Sequence, residues 1–252
     1  MIRSVVCSVG TSDPWNAAGL GLDILALAEC GAYPVTVIAG VTAQDRSGVH
    51  AQLPIPAELV RAQLAALADA GIAAYRIGAL LDVATVGAVA GHVARDRAPV
   101  VYDPALAPSG GGRFGDEDVV AALRERLVPL ASIVTPNLTE AAQLTGRRVE
   151  DVATMEEAGR ALVAMGAHAA LVKGGHLGRS ACDVLVDDDG TRLYEARRLP
   201  GTLRGTGCLL AAALAAELAR RTPLREAVAT AREFVREKLA NGHERGRMQL
   251  AY

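Results

Sequence analysis

The chain lacks the features that mark several large protein classes. Of its 252 residues only 3% are aromatic, with a single tryptophan and two phenylalanines, so a core built on large rings is excluded and small aliphatic packing is expected instead. Cys7, Cys30, Cys182 and Cys208 lie far apart with no Cys-x-x-Cys pair, and neither they nor the five scattered histidines show zinc-ligand spacing. Free thiols in a reducing compartment follow. No Pro/Gly/Ser-rich tract with a shift in charge divides the chain, so a single domain over 1–252 is expected. The formal charge of −2 and the pI near 6.2 remove any electrostatic reason to expect nucleic acid or an anionic membrane surface. The longest apolar run, over 209–218, is too short to span a bilayer, and Met1 to Gly10 carries no long apolar signal region. A cytoplasmic protein with a small-molecule partner is the expectation.

What is present is a regular alternation. Half the residues are hydrophobic, and alanine and leucine dominate them. Strand-like runs over 4–10, 34–41, 74–77, 100–103, 133–136 and 169–173 are separated by helical patterns over 20–30, 56–70, 83–96, 117–127, 140–144 and 155–165. Repeated βα units imply a mostly parallel sheet with helices on both faces. Runs over 182–186 and 193–196 flank Asp187-Asp188-Asp189-Gly190, which reads as a hairpin turn because its spacing is wrong for a calcium loop. Two long helices, over 208–221 and 224–240, precede a polar tail expected to fray.

Chemistry concentrates after the strands, where open α/β sheets place their ligand crevice. In Arg204-Gly205-Thr206-Gly207-Cys208 the glycines allow close approach of backbone N–H groups to an anion, and the following helix adds its free donors. The same pattern also serves as a plain strand-to-helix turn. Cys208, at the helix N-terminus, is positioned for a lowered thiol pKa and for taking a proton from an attacking hydroxyl, or is a small buried cap. Lys173, before Gly174-Gly175, reaches toward a phosphate or is a solvated strand-end lysine. Asn137-Leu138-Thr139-Glu140 places an amide and a carboxylate one turn apart, suited to magnesium or simply to an N-cap with a first-turn acid. Asp103 is a second carboxylate for the cation or an Asp-Pro turn. Asp23 could accept from an exocyclic amine or be an ordinary surface residue, Gln44 could bond the same ring, and Asp13 is either part of that pocket or an Asx-turn cap.

Taken in order, Ser12-Asp13-Pro14 with Gly19 and Asp23, Ala43-Gln44, Asp103-Pro104 with Ser109-Gly110, Thr135-Pro136-Asn137-Leu138-Thr139-Glu140-Ala141, Lys173-Gly174-Gly175-His176 and Gly205-Thr206-Gly207-Cys208 resemble the hydroxymethylpyrimidine and phosphomethylpyrimidine kinases of thiamine biosynthesis, in the ribokinase-like superfamily. The similarity runs from about 4 to 240. It implies a three-layer α/β/α sandwich with a nine- or ten-stranded, mainly parallel sheet, usually a homodimer. It also implies transfer of the ATP γ-phosphoryl group to 4-amino-5-hydroxymethyl-2-methylpyrimidine and then to its monophosphate. Under it, Asp23, Gln44, Gly10 and Gly19 bind the pyrimidine. Lys173, Asn137 and Thr206 contact ATP, Asp103 and Glu140 arrange Mg2+, and Gly205, Thr206 and Gly207 form the anion hole, with Cys208 as the base.

The chain departs from the family pattern at places that bear on substrate. Trp15-Asn16-Ala17-Ala18-Gly19 replaces Ser-Gly-Gly-Ala-Gly, placing an indole where the backbone lines the pyrimidine pocket. Pro108-Ser109-Gly110 replaces Lys-Ser-Gly, Arg204 replaces a histidine, and Gly242-His243-Glu244-Arg245-Gly246 replaces a glycine-rich tail. Two alternatives follow: a kinase for pyridoxal, pyridoxine or pyridoxamine, and a non-catalytic pyrimidine-binding paralogue. Retention of Lys173, Glu140 and Cys208 argues against the second.

Overall fold

In the computed structural model the described residues are 3–45, 47–107, 114–175, 180–199, 203–245 and 248–252. The chain opens with β1 (Val5–Ser12), α1 (Gly19–Glu29), β2 (Tyr33–Asp45), β3 (Gly48–Pro54), α2 (Ala57–Ala66), β4 (Ile72–Ile77), α3 (Val83–Val93) and β5 (Val100–Tyr102). It continues through α4 (Glu117–Arg126), a short 3-10 turn, β6 (Ile133–Val134), α5 (Leu138–Thr145), α6 (Val152–Ala164), β7 (Ala170–Gly174), β8 (Ser180–Asp187) and β9 (Gly190–Arg197). Helices α7 (Thr206–Ala219) and α8 (Leu224–Asn241) and the strands β10 (His243–Arg245) and β11 (Met248–Leu250) complete it.

The main sheet has nine strands in the order β3-β2-β1-β4-β5-β6-β7-β8-β9. Strands β2, β1, β4, β5, β6 and β7 run parallel, while β3 pairs antiparallel at one edge and β8 and β9 at the other. Because successive residues of a strand face opposite sides, each parallel strand supplies two cores. Cys7, Val9, Tyr75, Ile77, Tyr102 and Val134 pack against α2, α3 and α4, while Val6, Ala74, Val101, Ile133 and Leu171 pack against α1, α7 and α8. Helix α7 is buried on all sides from Leu209 to Ala216. Its alanines let sheet and neighbouring helices approach closely, and this is how so aromatic-poor a chain fills its interior. Among the described residues no helix is long and apolar enough to cross a membrane.

The differences from the sequence reading lie at element ends and at one edge. Strand β2 continues to Asp45 and pairs with β3, a strand the pattern does not announce because His50, Ala51, Gln52 and Leu53 are all exposed and show no inward alternation. A register shift where β2 meets β1, between Gly10 and Thr11, swaps the phase of β2. Val37 and Ala39 are buried before it, Thr42 and Gln44 after it. The tail folds as the β10–β11 pair, with Leu250 and Ala251 buried.

Candidate active site

Strands β1, β4, β5, β6 and β7 end along one side of the sheet. The chain places β2 on one flank of β1 and β4 on the other, so this side is the topological switch point where open sheets bind ligands. Beyond β1, Asp13 caps the following loop: its Oδ1 accepts from the Trp15 N–H at 3.1 Å and its Oδ2 from the Ala18 N–H at 3.0 Å. The capping alternative is the one realised. Trp15 is 46% exposed, and Ala17 is the member of that loop that is buried, so the indole stands at the surface.

The centre of the crevice is a buried charge network whose hub, Arg76 on β4, the sequence reading passed over. Its Nη1 lies 3.1 Å from Asp23 Oδ2 and its Nη2 lies 3.1 Å from Asp103 Oδ2. The guanidinium also reaches the Cys208 sulfur. Lys173 Nζ donates to Asp103 Oδ1 at 2.9 Å, and Thr135 Oγ1 donates to the same oxygen at 3.3 Å. Burial opposes ionisation of Asp103, but Lys173 and Arg76 outweigh it and hold this carboxyl below its usual range. Against the same desolvation, Asp103 and Glu140 hold the Lys173 ammonium above its usual range.

Asp23, on α1, is fully buried, and its Oδ2 also accepts from Ser8 Oγ at 2.7 Å. Its Oδ1 is buried with no partner among the described residues, an acceptor with capacity to spare. Burial pushes Asp23 up to about 6, with Arg76 and Ser8 opposing. Asn137 and Glu140 form a capping box at the start of α5. The Asn137 side chain accepts from the Glu140 N–H at 2.9 Å, and Glu140 Oε2 accepts from the Asn137 N–H at 2.8 Å. The Asn137 side chain is thereby used as a cap. Glu140 is buried beside Asp103 and Lys173, and burial pushes it up to about 7.

Helix α7 points its N-terminus into this network. Its cap, Gly205, has φ +77°, and a Cβ there would lie 2.2 Å from the Ala17 carbonyl oxygen, so only glycine fits. A Cβ on Gly207 would lie 3.0 Å from Lys173 Nζ and 3.6 Å from the Asp103 carboxylate oxygens. The N-terminus of α7, whose first N–H groups have no partner within the helix, therefore packs directly against the lysine and the carboxylate. Cys208 corrects an expectation: burial pushes its thiol up to about 11, overriding Arg76 and the Gly19 N–H that favour the thiolate. At neutral pH it is a protonated thiol. Gly10 and Gly19 line the same end of the sheet, and Gly78 leaves room for the Arg76 guanidinium, since a Cβ there would lie 3.0 Å from its central carbon. Gln44 is buried and bound by Arg204. Ser109, Gly110 and His176, named in the sequence reading, lie outside the described residues, as do Pro108 and Gly246.

Among the described residues no group of three or more His, Cys, Asp or Glu side chains is arranged to hold a metal alone. A pair of carboxylates, Asp103 and Glu140, suits magnesium that takes its remaining ligands from phosphate and water.

A mostly parallel sheet of this order, with a glycine-opened helix N-terminus over the switch point, is the ribokinase-like fold. The structure of an ADP complex of Bacillus subtilis pyridoxal kinase matches with a TM-score of 0.91 at 30% identity, covering 99% of this chain and 97% of the other. Phosphomethylpyrimidine kinase from Clostridium difficile 630 matches with a TM-score of 0.83 at 26% identity, covering 93% and 99%. By sequence, the hydroxymethylpyrimidine/phosphomethylpyrimidine kinase of Rhizobium meliloti (strain 1021) is 40% identical over 238 residues, 93% of this chain and 90% of the relative. The phosphomethylpyrimidine kinase family profile matches residues 13–251, and the chain belongs to that family.

Proposed function

We propose that this protein is an ATP-dependent kinase that phosphorylates the hydroxymethyl group of 4-amino-5-hydroxymethyl-2-methylpyrimidine and then the resulting monophosphate. The observation that carries this reading is the approach of the α7 N-terminus to Lys173 and Asp103 across Gly207. It is a ready anion hole with a cation held beside it by Asp103. The ADP-bound pyridoxal kinase of the same fold supports the choice of nucleotide.

In the proposed reaction the chain's residues mainly position and neutralise, as suits a loose phosphoryl-transfer transition state. The N–H groups of Thr206, Gly207 and Cys208 hold the transferring phosphoryl oxygens, and Lys173, fixed by Asp103, balances their charge. Arg76 keeps Asp23 and Asp103 ionised together in a desolvated crevice. With its thiol protonated at rest, Cys208 first loses that proton to solvent; the thiolate then takes the proton of the substrate hydroxymethyl as its oxygen bonds to phosphorus and the bond to the ADP oxygen breaks, so Cys208 contributes less than the anion hole. Asp103 and Glu140 would hold Mg2+, which when bound offsets phosphate charge. Asp23 Oδ1 and Gln44 would bind the aminopyrimidine, and Asn137 acts by setting Glu140 rather than by touching ATP.

We assign the chain to the cytoplasm as a single domain over 1–252. We also assign it a homodimer, paired through the outward face of β2 and β3, where the paired Val41 and Leu53 are 44% and 65% exposed. Sizing the purified protein by light scattering tests the dimer. A pyridoxal-type substrate is the second reading, favoured by the high structural similarity to the Bacillus subtilis enzyme. A coupled ADP-release assay with ATP and Mg2+ separates the two. Turnover on both pyrimidines is expected, and turnover on pyridoxal alone would replace the assignment.

A further inference from the structure

Arg204 stands one residue before the helix cap Gly205, yet its guanidinium is spent on a different element. Its Nη2 donates to Gln44 Oε1 at 2.6 Å, and its Nη1 donates to the Asp45 carbonyl oxygen, both on β2. Gln44 is buried, and Arg204 is partly buried. The same stretch of β2 is tied to β1 by Thr42 Oγ1, which donates to the Ser12 carbonyl oxygen at 2.6 Å. The ring side of the crevice and the anion-hole side are thus joined by one side chain spanning positions far apart in sequence.

The chemistry of that bond fixes more than distance. A side-chain amide has two nearly isosteric orientations, with oxygen and nitrogen exchanged. A guanidinium offers only donors, so only the carbonyl end of Gln44 can face Arg204. The two amide N–H donors are left for the opposite side. Among the described residues the Arg204 Nε is buried without a partner, and the two Nη groups carry the contacts to β2.

We propose that Arg204 is a positioning residue that sets ring specificity. It locks the Gln44 amide with its amino end toward the crevice, so the site selects rings that offer an acceptor nitrogen there over rings that offer C–H or N–H. The proposal deepens the kinase reading and rests on it. Lysine cannot replace Arg204, because one ammonium on a flexible stem does not span both acceptors with fork geometry.

The test uses the full chain as wild type, Arg204→Met, Arg204→Lys, Gln44→Ala and the Arg204→Met/Gln44→Ala double variant. Calorimetric titration with 4-amino-5-hydroxymethyl-2-methylpyrimidine, and with its benzene isostere, is run beside steady-state kinetics. The wild type should prefer the pyrimidine by about tenfold or more. Arg204→Met and Arg204→Lys should each raise Kd and KM for the pyrimidine by about tenfold and erode that preference, with kcat and the KM for ATP within about threefold. The Arg204→Met effect should vanish in the Gln44→Ala background. A loss of kcat or a raised KM for ATP with unchanged pyrimidine Kd overturns the proposal, as does full rescue by lysine or an undiminished effect without Gln44. Arg204→Lys carries the test if Arg204→Met fails to fold. A wild type that binds the pyrimidine but releases no ADP overturns the kinase reading, while the binding series still decides the role of Arg204. A wild type that binds neither ring overturns both.

Discussion

Replacing Glu140 by glutamine should stabilise the protein while disabling it, and the size of the gain depends on pH. Glu140 is buried, and its carboxyl is pushed from the ordinary 4.5 up to about 7, first by desolvation and then by Asp103, with Lys173 opposing. Between those values the folded state holds a proton that the unfolded chain has released, so this group's contribution to stability falls as pH rises. By linkage the penalty is about 1 kcal/mol at pH 5 and about 3 kcal/mol at pH 8. Glutamine has no charge to desolvate, and its side-chain oxygen can still accept from the Asn137 N–H in the capping box. At roughly 2–4 °C per kcal/mol for a chain of this size, Glu140→Gln should raise Tm by about 6–12 °C at pH 8 and by about 2–4 °C at pH 5. ADP release should fall about 100-fold, since one of the two carboxylates proposed to hold Mg2+ has lost its charge. Thermal unfolding at the two pH values, followed by the coupled assay, measures both. A Tm gain equal at pH 5 and pH 8, or a loss at pH 8, would refute the reasoning that burial of an ionised Glu140 is the cause.

Arg76→Met should cost about 3–5 kcal/mol, because it leaves Asp23 a buried anion without a counter-charge and Asp103 with Lys173 alone. That deficit should shrink toward pH 5, where Asp23 takes up its proton, so an equal Tm loss at pH 5 and pH 8 would show the damage to be packing alone. Cys208→Ala should lower kcat about tenfold with little change in ATP binding by calorimetry, since only the small thiolate fraction can take the substrate proton; unchanged kcat would remove it from the reaction. Trp15→Gly should leave the KM for the pyrimidine within about twofold, because the indole is 46% exposed; a larger change would mean that the ring folds over bound substrate.

Much of this architecture can be read from the sequence because parallel strands and their crossover helices carry strong local patterns. The runs through Val100-Val101-Tyr102 and Leu171-Val172 are continuously apolar, as buried parallel strands must be, and glycines stand where α7 begins. Strand β3 escapes because an edge strand with an exposed outer face has no alternation to display. Arg76 had a signal that could have found it. A lone charge inside Ile72-Ala73-Ala74-Tyr75-Arg76-Ile77 must meet buried counter-charges, and Asp23 and Asp103 are the ones it meets. The bond from Arg204 to Gln44 has no local trace, since it depends on how the end of β2 and the distant segment before α7 come together. Which alternative holds for the Cys208 pKa is hidden for a related reason: the helix N-terminus is visible in sequence, but the desolvation that outweighs it and raises the thiol is not.

The most direct test of the central claim is mass spectrometry of the products formed over time from ATP, Mg2+ and an equimolar mixture of 4-amino-5-hydroxymethyl-2-methylpyrimidine and pyridoxal, with Lys173→Ala run in parallel. The account predicts the pyrimidine monophosphate first, the diphosphate after it, and both suppressed about 100-fold in the variant. Pyridoxal phosphate accumulating while the pyrimidine stays unmodified, or undiminished product from Lys173→Ala, would contradict it.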